Sequence, residues 1–406
     1  MPTAPLEELL SQSWYPKAPA LPEPEGEVIR AATVNELYAA VAAVESGGTV
    51  LVADGHYAMH ETLVLATDGV TLRSESGDRT AVVLDFAGSA SVEGIAFTGC
   101  RGATLADLTV QNVMQNGIKI NSDQGACEAT IHNVVGHNVW QRHVKAPKMP
   151  FRDGRPTYVD DCRVQFCLFY NDRPKQHGDD RGWDDAHPDT GYNYIGGMDV
   201  MCTRGWLIRD NVFANIQGGT GGARGTVFIW NGSRDAVIER NISINCNKGV
   251  CMGNGHRPVD EAGGLIWPIH CTDVVVRNNF FSGDALDTGV LAHYTQGCKV
   301  LHNTCHNPSN TSGRLIHVVA DADGLHVANN IVSGSGVRVE GTTGEMYERD
   351  NAEHGAAASF ADPDHGDLHL AHDIPATVPR LDDVADDIDG SARRDPTSPG
   401  AHQPGH

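Results

Sequence analysis

The chain has 406 residues, is 40% hydrophobic and 20% charged, and carries a net charge of −22. That acidic balance excludes a nucleic-acid partner, which needs a basic footprint, and confines any anion-binding site to a local basic patch. No apolar run reaches the roughly 18 residues that span a bilayer, so no membrane partner is expected.

The first 33 residues read as an extension lacking a basic n-region and an apolar core. A secretory signal is therefore absent or already removed, and the cytoplasm is the default location. Val34 to Val41 has a helical pattern and precedes the strand-like Gly47-Gly48-Thr49-Val50-Leu51-Val52. A helix there would cap the open end of a solenoid, which stacked repeats require. The 45 glycines imply many tight turns, as an all-β repeat architecture has.

From Leu105 onward a short frame recurs, an apolar residue followed by a polar pair, often Asn, and a second apolar residue. It reads Ile208-Arg209-Asp210-Asn211-Val212, Ile238-Glu239-Arg240-Asn241-Ile242, Val276-Arg277-Asn278-Asn279-Phe280 and Val327-Ala328-Asn329-Asn330-Ile331. Taking Leu108, Asn133, Cys167, Asn211, Asn241, Asn279, Asn303 and Asn330 as equivalent, the shortest steps match one coil of a three-stranded β-helix. Asn suits the bend between strands because it tolerates left-handed backbone, and stacked asparagines would form a ladder. A second strand starts with Gly at 117, 197, 225, 249, 289 and 313. The expected architecture is an all-β, right-handed parallel β-helix over 34–340, with 341–406 as closing segment and tail. The ten cysteines show no CxxC pair and read as buried free thiols.

The opening Glu36-Leu37 through Ala53-Asp54-Gly55-His56-Tyr57 and the closing Phe360-Ala361-Asp362-Pro363 resemble those of right-handed β-helix carbohydrate-active proteins. The opening is similar to that of the alginate lyase and chondroitinase B type of polysaccharide lyase. The resemblance implies a glycan substrate, a Lys base with an Arg about one coil away, and a calcium that neutralises the substrate carboxylate. Lys119 with Arg142 matches that spacing. A monomer is expected.

Extra residues lengthen the coils at 146–157, 172–195, 218–224 and 254–268, all flanking the Gly-initiated strand, so they should wall a cleft. Between Arg101 and Thr157 seven Lys and Arg face four Asp and Glu. Neighbouring cations disfavour one another's protonation, which suits a lysine to proton abstraction near neutral pH. The predicted catalytic set is Lys119 or Lys145 as base, Arg142 or His143 as acid, and Asp199 on the same strip. Substrate contacts are expected from Arg224, Trp230, Asn231, Asn254, His256, Arg257, His293 and His317, the two last stacked one coil apart. Calcium ligands, if the metal binds, would come from Asp180, Asp184, Asp185 and Asp199. Three functions stay open: a lyase acting on a uronate glycan, with a C5-epimerase sharing its residues; a glycoside hydrolase pairing Asp199 with an acid of 179–189; and a glycan-binding β-helix without catalysis.

Overall fold

Thr33 starts the helix Val34–Ala43: its hydroxyl accepts the Glu36 N–H at 3.2 Å, and the Glu36 carboxylate accepts the Ala32 N–H at 2.8 Å. This reciprocal pair satisfies two entry donors that no helical carbonyl reaches. Leu37, Ala40 and Val41 are buried and close the first coil. The computed structural model describes residues 6–147, 157–180, 182–259, 263–307, 309, 313–332, 336–340, 344–353, 359–372 and 377–405.

Among these residues three sheets run along the chain, of 12, 14 and 11 strands. The first begins at Val28–Ala31, the second at Leu63–Leu65 and the third at Gly55–Ala58. Each strand pairs in parallel with its counterpart one coil on, as in the column Ile95, Ile118, Val144, Met198, Val227, Val250 and Val290. These inward residues belong to one continuous core. The fold is the right-handed parallel β-helix expected. Its paired strands run from Val28 to Glu353, beginning six residues before and ending thirteen after the expected 34–340.

The asparagine ladder is present. Each side-chain amide donates to the next carbonyl oxygen, from Asn211 through Asn241, Asn279, Asn303 and Asn330 to Asn351, at 2.9–3.1 Å. Asn133 is not a rung. Val134 aligns with Leu108 and Cys167, while Asn133 takes the left-handed bend (φ 54°) one residue earlier, alongside Asp107, Phe166 and Asp210. The glycine frame also slips: Gly197 aligns with Thr226, not Gly225, because Met198 pairs with Val227. Buried apolar residues set the register, and the glycines follow the turn that precedes them. All ten cysteines are free and nine are buried, as expected.

The terminal segments are not loose arms. Leu9 and Tyr15 from one end, and Phe360, Leu368, Leu370, Ile388 and Ala401 from the other, bury the outer apolar stripe Val135, Leu168, Val212, Ile242, Phe280 and Ile331 of the third sheet. His369 joins them, edge-on to Trp14 and Phe280 and bonded to Asp367 and Asp389. Burial lowers its pKa, but the two carboxylates more than reverse this and raise it to about 9. A group raised above its unfolded value of roughly 6.5 stabilises fully below that pH and loses the contribution as pH climbs through the folded value. The thermal midpoint should therefore fall from about pH 6.5 to about 9, and His369→Gln should flatten that limb. An equally steep limb in the variant would contradict this.

Candidate active site

The second sheet carries Asn116–Asn121, Arg142–Ala146, Gly196–Met201, Val227–Trp230, Lys248–Met252 and Thr288–Gln296 as successive strands. Lys119 aligns with Lys145, Lys145 with Asp199, and Asp199 with Phe228. Alternation turns this column outward, between the buried columns of Ile118 and Ile120. Three of the four insertions can be followed around it. The first, 146–157, lies mostly outside the described residues.

Asp199 is the hub. Its Oδ2 accepts from Lys145 Nζ at 2.7 Å and from Arg142 Nε at 3.2 Å, and its Oδ1 accepts from Trp230 Nε1 at 2.9 Å. Burial pushes its carboxyl pKa up, but the Lys145 ammonium and the Arg142 guanidinium outweigh burial and hold it at about 2. One coil earlier, Lys119 Nζ donates to Glu93 Oε1 at 2.6 Å, and Asn116 Nδ2 reaches the same oxygen at 3.4 Å. Each lysine thus has its own carboxylate. The like-charge cluster expected from sequence is an alternating chain of ion pairs. Exposure separates the roles: the side chains of Lys119 and Lys145 are 26% and 14% exposed, those of Arg142 and Asp199 only 1% and 2%.

The 172–195 insertion forms the wall. Rings and guanidinium stack in a column, His187 on Trp183 at 4.1 Å, Trp183 on Tyr194 at 4.3 Å, and Tyr194 on Arg142 at 4.2 Å. Its base is a fully buried ionic triad, Lys175 at 3.5 Å from Asp180 and 3.3 Å from Asp184. Asp180 also accepts from Gln115 and Gln141, and Asp184 from the Gly178 and Asp180 N–H groups. Asn193 ties the wall to the 218–224 loop, bonding Thr220 and Gly222.

Several expected site residues lie elsewhere. His143 points inward against Phe169, and burial holds its imidazole neutral with a pKa of about 3, so it cannot be the acid. Asn231 is 2% exposed and takes the left-handed turn after Trp230. His293 and His317 do not stack: a register shift pairs His293 with Ala320 and Leu291 with His317, which ion-pairs with Glu340 at 3.2 Å. Asn254, His256 and Arg257 hold their own loop, His256 through its carbonyl to His270 and Arg257 over the Tyr294 ring at 3.8 Å. Arg224 is exposed beside Phe228, 5.9 Å from its ring.

The acids predicted for calcium do not fit that ion. Asp180 and Asp184 are neutralised by Lys175, Asp185 is exposed away from them, and both oxygens of Asp199 face cationic or N–H donors. A calcium site needs converging, unneutralised oxygens. Among the described residues the one grouping with ligand spacing is Asp387, Asp389 and His402 in the tail. There His402 Nδ1 accepts the Leu370 N–H at 2.9 Å, so its proton sits on Nε2, the atom facing Asp389, and no lone pair is left for a metal. Glu93 was missed from sequence, although Gly94-Ile95 repeats the Gly117-Ile118 pair and would have aligned it with Asn116.

Fold and site together define a parallel β-helix with a walled, charged strip on one sheet; the β-helix itself is a fold that solved polysaccharide lyases share. No protein-family description matches the sequence, and no curated protein matches it. Among solved structures, pectate lyase Pel9A is similar at 15% identity over 90% of both chains, with a TM-score of 0.53. PfbA, a surface adhesin of Streptococcus pneumoniae, is similar at 12% identity over 78% of this chain and 84% of its own, with a TM-score of 0.50. An alginate lyase from Paenibacillus sp. strain FPU-7 has 13% identity over 80% and 99%, with a TM-score of 0.40. At such identities the likeness establishes the fold, and function must be argued from the site.

Proposed function

We propose that the chain is a polysaccharide lyase that cleaves a uronic-acid-containing glycan by β-elimination. The observation that carries this reading is the register of Lys119 on Lys145 on Asp199 along an outward column, one strand apart (roughly 4.8 Å) and walled by an aromatic insertion. Lys119, the more exposed lysine, is the base: after releasing to solvent the proton that it shares with Glu93, its free amine takes the C5 proton of the uronate. The C–H electrons form the C4–C5 double bond as the C4–O bond breaks. Lys145, paired with Asp199, gives a proton to the departing oxygen. Arg142 and Trp230 orient Asp199 and are positioning residues, since Arg142 lies too deep to touch a sugar.

A glycoside hydrolase fits less well. It needs two carboxylates facing the scissile bond, and Asp199 is buried with both oxygens bonded, while Asp180 and Asp184 are spent on Lys175. The test is incubation with polygalacturonate and alginate while following the absorbance of the unsaturated uronyl product. Lys119→Ala should lower kcat by a factor of about 100 or more, the usual scale for a general base, without lowering the thermal midpoint by more than a few degrees. Full activity in Lys119→Ala would remove this base. A wild-type chain that binds these polymers without forming product would leave a non-catalytic glycan-binding role.

A further inference from the structure

Two more cations lie along the same face, Arg224 in the loop that leads into the strand two coils beyond Lys145, and Lys248 on the strand three coils beyond. Lys248 aligns with Gly225 on the neighbouring strand, because Val227 pairs with Val250, and Arg224 immediately precedes that glycine. Arg224 is exposed and Lys248 half-buried. Neither has a carboxylate within ion-pair distance among the described residues, in a chain of 52 acids against 30 Lys and Arg. Both cations oppose the rise in the Cys251 thiol pKa that burial causes, Lys248 more than Arg224. Asp287, which raises the pKa of the same thiol, is engaged by Arg314.

Lys119 has Glu93 to itself, whereas Lys145 and Arg142 share Asp199; among the described residues, Arg224 and Lys248 are the cleft cations with no internal carboxylate at all. Adjacent unpaired cations repel and favour an anion between them. A guanidinium beside an ammonium suits a carboxylate, one group as a planar fork and the other as a point charge. We infer that Arg224 and Lys248 form a carboxylate-binding subsite distinct from the Lys119–Lys145–Asp199 strip. Cys251 lies two strands from Asp199 in the same column, about 10 Å at the usual strand spacing. That is too far to serve the sugar whose proton Lys119 would take. The subsite holds the carboxylate of another sugar unit, so the preferred glycan carries negative charge on more than one residue. The inference rests on the glycan-lyase reading for its geometry, and it can fail separately.

The test is calorimetric binding of the full chain to polygalacturonate and alginate oligomers, with size-matched dextran oligomers as the neutral control. Arg224→Ala with Lys248→Ala should weaken uronate binding at least about tenfold, the scale for losing hydrogen bonds to a charged group. It should also reduce the salt dependence of Kd. Lys119→Ala should lose product formation but keep most of the affinity. Unchanged affinity and salt dependence in the double variant would overturn the subsite while leaving the lyase reading intact. Strong, Arg224- and Lys248-dependent binding without unsaturated product would do the reverse. Equal binding of dextran and uronate oligomers, or no binding of either, would overturn the subsite.

Discussion

Asp199→Ala is expected to destabilise the protein by about 3–5 kcal/mol, the cost of leaving a buried charge without its partner, and to abolish turnover. Arg142 would remain 1% exposed with no carboxylate, and its Nη2 already lacks a hydrogen-bond partner. Lys145 and the Trp230 N–H would lose their acceptor as well. Urea unfolding of wild type and variant measures the first effect, and product formation at saturating substrate measures the second. The asymmetry of buried pairs adds a sharper expectation: Asp199→Leu with Arg142→Met, which removes both charges, should recover part of the lost stability. A variant Asp199→Ala as stable as wild type would show that the hub does not hold the strip together.

Lys175→Met should act locally. It leaves Asp180 and Asp184 facing each other in a fully buried pocket, where burial already raises the Asp180 pKa. Breaking this triad costs on the order of 3–5 kcal/mol, charged to a loop and not to the solenoid core. Segments with few core contacts open independently of the rest. Limited proteolysis should therefore cut the variant within 176–190 while the remaining coils stay resistant. KM for uronate polymers should rise as the Tyr194 and Trp183 wall loosens. A protease pattern identical to wild type would contradict a structural role for Lys175.

Much of the fold was legible because the core columns repeat. Ile118-Lys119-Ile120 and Val144-Lys145-Ala146 share one alternation, and their 26-residue offset is a single coil, so Lys145 over Lys119 followed directly. The ladder from Asn211 to Asn330 was visible for the same reason. Errors arose where a glycine or a histidine was used as the anchor in place of buried apolar residues. Gly225 precedes its strand by one residue more than Gly197 does, which hid the alignment of Phe228 with Asp199. The shift after Ala292 separated His293 from His317. The acid-rich insertion read as a source of calcium ligands or of a hydrolase acid, because nothing in Asp179 to Asp189 reveals that Lys175, four residues upstream, folds into its centre. The inward turn of His143 was not readable, since alternation puts it on the outward face with Lys145; the bend at the start of the strand places it against Phe169 instead.

The most direct measurement counts two products of one reaction. Each β-elimination creates one new reducing end and one C4–C5 double bond, so on a uronate polymer the two should appear in equal numbers throughout the time course. The account predicts that ratio of one to one with wild type, and loss of both signals together in Lys119→Ala. Reducing ends accumulating without double bonds would contradict elimination and assign the cleft to hydrolysis.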